Sequence, residues 1–130
     1  MKYIKTYEFF YGNKITKALK KDLTKFINKM SDFMSSILDN DIKTFNKLID
    51  KVDLEEEDID GNTALLIASY SGRLKMLKKL IEKGANIYHK NKKGEDFYDI
   101  AESQYKFINN TKSYIEKTHP EFVASKKYNL

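Results

Sequence analysis

The sequence predicts an all-α chain: a short solenoid of about three helix pairs, closed at its N-terminal end by a capping helix. Two observations carry this. One pattern starts twice, 33 residues apart: Gly61, Asn62, Thr63, Ala64, Leu65, Leu66, Ile67, Ala68, then Gly94, Glu95, Asp96, Phe97, Tyr98, Asp99, Ile100, Ala101. The apolar residues between these starts also follow helical spacing. Leu74, Leu77, Leu80 and Ile81 form one stripe, with Lys75, Lys78, Lys79 and Glu82 largely off it. Helices this short cannot bury their apolar faces alone, so they need neighbours above and below.

Residues 1–30 are a basic amphipathic segment. They hold eight lysines against Glu8 and Asp22, with an aromatic cluster at Tyr3, Tyr7, Phe9, Phe10 and Tyr11. After Gly12 and Asn13, the series Ile15, Leu19, Leu23, Phe26, Ile27 and Met30 has helical spacing, which predicts a helix from about Lys14 to Met30. The principal reading is a cap that buries Leu19, Leu23 and Phe26 against the first helix pair. The alternative is contact with an anionic membrane surface or nucleic acid, since both reward lysine beside apolar anchors.

From 31 to 57 the same period fades but continues. Ile42, Lys43, Phe45, Leu48 and Ile49 precede Leu74, Lys75, Leu77, Leu80 and Ile81 by 32 residues, and Asn40 stands where Gly72 would. Phe33, Ser36 and Ile37 supply the first helix of this degenerate unit, which is one residue short in its exit turn and has Val52 in place of the closing glycine.

The unit at 58–90 is the most regular. Asp58 to Gly61 reads as a turn whose acidic residues bond their own backbone, and whose glycine is free to take positive φ. Thr63 is placed to cap a short helix from about Ala64 to Tyr70, which Gly72 ends. A second helix runs from about Leu74 to Lys83 and meets Gly84 as a left-handed cap. The unit at 91–118 repeats this more loosely, with Phe97 and Tyr98 inside the motif and Tyr105 where a glycine would stand. A last helix carries Tyr105, Phe107, Ile108, Tyr114 and Ile115 as far as about Lys117. Pro120 marks a boundary, and 121–130 reads as a partly ordered tail.

These letters resemble the ankyrin repeat. The family pattern, D-x-x-G-x-T-P-L-H-x-A, then a glycine, a leucine-rich helix and G-A-D or G-A-N, is matched by Asp58, Gly61, Thr63, Leu65, Ala68, Gly72, Leu77, Leu80, Gly84, Ala85 and Asn86. Ala64 and Leu66 depart from the usual proline and histidine. The resemblance implies a domain at 31–120 that binds another protein through turn tips and the exposed face of the short helices. Carried over position by position, that surface is Ile59, Asp60, Asn62, Tyr70 and Ser71 in the central unit. In the next unit it is Lys92, Lys93, Glu95, Ser103 and Gln104. Tyr70 is the preferred anchor, because aromatic side chains anchor interfaces at low entropic cost.

The remaining observations bear on what the chain does not do. At 130 residues and 41% hydrophobic content, one compact domain is expected. The absence of cysteine excludes disulfides and thiolate chemistry and fits an intracellular, cytoplasmic protein. No apolar run approaches a membrane span, and the first residues are too aromatic and too interrupted by charge for a secretory signal. Almost all the basic residues are lysine, a mark of an AT-rich genome that weakens any argument from the net charge of +5. Glu55, Glu56 and Glu57 are consecutive and lack the spacing of a calcium loop, so no metal is expected. His89 and His119 assemble neither a zinc site nor a nucleophile-base pair, and the glycines are spaced for turns, not for cradling phosphate. No cofactor and no catalytic residue is expected.

Overall fold

The computed structural model describes residues 17–103 and 105–128, which form helices joined by turns and irregular segments and contain no strand. Its α-helices are α1 (Lys17–Leu38), α2 (Ile42–Leu48), α3 (Ala64–Tyr70), α4 (Leu74–Glu82), α5 (Phe97–Glu102), α6 (Tyr105–Thr118) and α7 (Pro120–Tyr128), with a 3-10 turn at Ile49–Lys51. Length and composition favour one domain, but the chain divides into two compact units, Met1–Val52 and Asp53–Leu130. The boundary falls where the period is one residue short.

In the first unit, α1 is one continuous helix where the sequence predicts two. Ser31 and Asp32 are neither glycine nor proline, and Phe33 and Ile37 prolong the apolar face, so nothing interrupts the hydrogen-bond ladder between the two predicted segments. Leu19, expected to be buried, is 50% exposed, and Leu23 is half-buried. The aromatic cluster before residue 12 and the side chain of Phe26 lie outside the described residues. The core of the unit is Phe33, Ile37, Phe45 and Ile49, with the rings of Phe33 and Phe45 stacked at 5.2 Å.

The repeat register shows most clearly at the helix ends. Asn40 has φ +58, and Asp41 N–H donates to Ser36 O at 2.8 Å; 32 residues on, Gly72 has φ +66 and Arg73 N–H donates to Ala68 O at 2.9 Å. Asparagine is among the few side chains that tolerate the left-handed region, which explains why the glycine position could be filled by Asn40 without loss of the turn. Asp41 then caps α2 by accepting from the Thr44 backbone N–H and hydroxyl, and those bonds hold its carboxyl below the usual range.

In the second unit, α3 packs on α4 and α5, and α6 packs on α5, α4 and α7. Leu65, Leu66, Leu77, Leu80, Ile100 and Ile115 are fully enclosed, and Met76 joins them although it lies outside the stripe read from the sequence. Thr63 occupies the N-cap position of α3, but its buried hydroxyl makes no capping bond, contrary to expectation. The corresponding Asp96 does cap α5, in a reciprocal capping box with Asp99. The segment read as a tail is helix α7 up to Tyr128. Proline suits the first helical position, and Phe122 finds an aromatic pocket that orders the segment.

Candidate functional site

The turn tips of the second unit are built twice from one design. Asp58 accepts the Asp60 and Asn62 N–H groups on Oδ1, each at 2.9 Å, and its own N–H donates to Asn62 O at 3.0 Å. Asn91 does the same with Lys93 and Glu95, at 3.0 Å throughout. Gly61 and Gly94 share φ +78 at the same place in the two turns. The turns are stitched together: Lys92 N–H donates to Asp60 O at 3.0 Å, Asn91 Nδ2 donates to Asn62 Oδ1 at 3.0 Å, and Lys92 Nζ reaches Ile59 O at 2.6 Å. Below them, Glu55 accepts the Asn86 N–H, and His89 Nε2 lies 2.8 Å from Gly61 O and 3.1 Å from Glu57.

Onto this rigid edge α3 delivers Tyr70. The residue is 41% exposed and its hydroxyl donates to Glu95 at 2.9 Å. Partial burial, then the Glu95 carboxylate, push the phenol pKa up. Hydrogen bonds from Asn91, then Tyr70, hold Glu95 down in turn. The ring is therefore pre-oriented as a neutral group. Asp60, Asn62, Tyr70, Asn91, Lys92 and Lys93 together line an open groove of about 300 Å³. Ile59, 62% exposed, stands on the same edge.

The structure thus brings five of the ten predicted surface residues into one groove, and the others divide. Glu95 is half-buried and positions Tyr70. Ser71 is half-buried, and Ser103 is exposed with its hydroxyl turned back to Ile100 O at 2.6 Å. Gln104 lies outside the described residues. Asn62, placed by the sequence reading on the surface, is buried between Asp58 and Asn91, so it holds the turns together. Lys78, read as a plain surface residue of the long helix, has its ammonium 5.2 Å from the Tyr114 ring centroid. Asn91 was missed, although it stands 33 residues after Asp58, and an Asx residue opening each turn was the available signal.

The match to a family model for ankyrin repeats, in three copies, spans residues 8–94 and so more than half of the chain. The chain belongs to the ankyrin repeat family. Ankyrin repeat domains are typically protein-binding modules and usually non-catalytic. Among curated proteins, a stretch of 48 residues is 46% identical to the DNA replication inhibitor plutonium of Drosophila melanogaster, covering 37% of this chain and 28% of that protein. The chain therefore matches under a third of that relative's length. Among solved structures it resembles a chain in a predatory endopeptidase from Bdellovibrio bacteriovorus in complex with an immunity protein, at 29% identity and a TM-score of 0.48, covering 58% of this chain and 45% of that one. Among the described residues no helix is long and apolar enough to cross a membrane, and no group of three His, Cys, Asp or Glu could hold a metal ion.

Proposed function

We propose that this ankyrin domain binds a protein partner through its turn tips and the short helices α3 and α5, with Tyr70 and Ile59 as apolar anchors and Asp60 and Lys93 as charged contacts. One observation carries the reading: two exposed apolar side chains, Tyr70 and Ile59, stand on one edge with an acid and a base, Asp60 and Lys93, that line its groove. Exposed, pre-oriented aromatic groups beside charges of both signs are what an interface uses for affinity and for register. In this reading α1, which packs on α2 within the first unit, takes no part in binding.

The test is affinity purification of a partner on the full chain, followed by calorimetry with variants. Tyr70→Ala is expected to weaken binding by more than about 1 kcal/mol. Its stability cost should be about 1 kcal/mol, since the bond to Glu95 goes with the ring. Lys93→Glu should weaken binding without unfolding, and Lys75→Ala, on the exposed long-helix face, should do neither. A partner that ignores Tyr70→Ala and Lys93→Glu but loses affinity for Lys75→Ala refutes the assignment.

A further inference from the structure

The end of the second unit gathers two carboxylates and a set of aromatic rings apart from the groove at the turn tips. Asp96, nearly fully buried, accepts the Asp99 N–H at 2.9 Å, and Asp99 accepts the Asp96 N–H at 3.1 Å. The two carboxylates are held in place by α5's own capping box. Beside them stands a wall of rings, Tyr88, Phe97 and Tyr98. Into this wall and onto these carboxylates fit two side chains of α7. The Phe122 ring lies 5.3 Å from Tyr88, 5.3 Å from Phe97 and 5.9 Å from Tyr98. Lys126 Nζ lies 2.8 Å from Asp96 Oδ2 and 2.6 Å from Asp99 Oδ1.

We propose that this end face is a docking site for a helix that bears an aromatic side chain and, four residues on, a lysine, and that α7 occupies it as an intramolecular stand-in. Residues four apart share a helix face, so the pair is presented together and a partner helix could present it identically. The receptor half does not depend on its occupant, because the carboxylates are fixed by the capping box and Phe97 and Tyr98 by α5. The occupant is weakly built for permanence. α7 spans nine residues, too few for a stable helix by itself, and it follows α6 after the single residue His119, packing back on α6. Phe122 is its fully buried residue, while Glu121, Lys127 and Tyr128 are exposed. Specificity follows from charge: two carboxylates reward an ammonium and repel an acidic side chain at the same position. The partner is therefore a helical polypeptide with the aromatic-x-x-x-lysine pair.

The experiment uses the full chain with Lys126→Glu and a fluorescein-labelled peptide of residues 118–128. Hydrogen exchange of the α7 amides should accelerate about tenfold or more, while α3–α6 keep their protection. The peptide should bind the Lys126→Glu chain about tenfold more tightly than the unaltered chain, where α7 competes. Peptides carrying Phe122→Ala or Lys126→Glu should not bind. Lys126→Met, which keeps the stem and removes the charge, should show the same selective release. Unchanged α7 exchange in both variants, or equal binding of all three peptides, overturns the proposal. So does loss of protection throughout α3–α6 in both variants, because α7 would then belong to the core and could not be exchanged for a partner.

Discussion

Gly61 and Gly94 offer a controlled measurement of how strongly the turns of this repeat array depend on one another. Both have φ +78, so an alanine at either position incurs the same left-handed penalty of about 1–2 kcal/mol. Their surroundings differ. A Cβ at Gly61 would lie 3.1 Å from Lys92 N and 3.2 Å from Lys92 Cγ, whereas at Gly94 it meets nothing within 4 Å. The atom in the way at Gly61 is backbone, and its N–H makes the 3.0 Å bond to Asp60 O that ties the turns together. Displacing it adds an overpacking cost of about 1–3 kcal/mol. Gly94→Ala should therefore destabilise by about 1–2 kcal/mol and Gly61→Ala by about 3 kcal/mol. Urea unfolding followed by circular dichroism measures both. If the two variants agree within about 0.5 kcal/mol, the turns do not support each other as described.

Two more outcomes follow from the second unit. Thr63→Val replaces a buried hydroxyl that has no hydrogen-bond partner with a methyl group of similar shape, so it should be neutral or stabilising by up to about 1 kcal/mol in thermal unfolding; a loss of more than about 1 kcal/mol would show that the hydroxyl is bonded. The Lys126 clasp should be pH-dependent on two sides. Burial alone would raise Asp99, but the bonds from Lys126 and the Asp96 backbone bring its pKa below the usual value, so its contribution is present above about pH 4 and lost as pH falls through the lower folded value. Burial alone would lower Lys126, but Asp96 and Asp99 hold it above its usual value. Its contribution is therefore complete below about pH 10 and lost as pH rises through the higher folded value. Exchange of the α7 amides across pH, compared with Lys126→Met, reads both limbs; identical profiles would refute the clasp.

What the sequence determined by itself was local or periodic. The bounds of α3 and most of α4 followed from helical spacing between two glycines; the positive φ of Gly61 and Gly84 followed from their places in the repeat, and Gly72 and Gly94 were legible as turn positions. Even Asn40 was legible, because a 32-residue register set it opposite Gly72 and its side chain tolerates that conformation. Such features depend on residues within about four positions of one another, the range over which backbone hydrogen bonds and side-chain spacing act. Tertiary structure decided the rest. Whether Asn62 faces water or Asn91, 29 residues away, depends on how closely two turns stack. Whether Phe122 and Lys126 belong to a loose tail or a docked helix depends on rings and carboxylates about 30 residues earlier, as the 5.3 Å ring contact and the 2.8 Å clasp show. No local propensity encodes those distances; they arise only when stacked repeats bring separate turns into register and burial makes the satisfaction of each polar group compulsory.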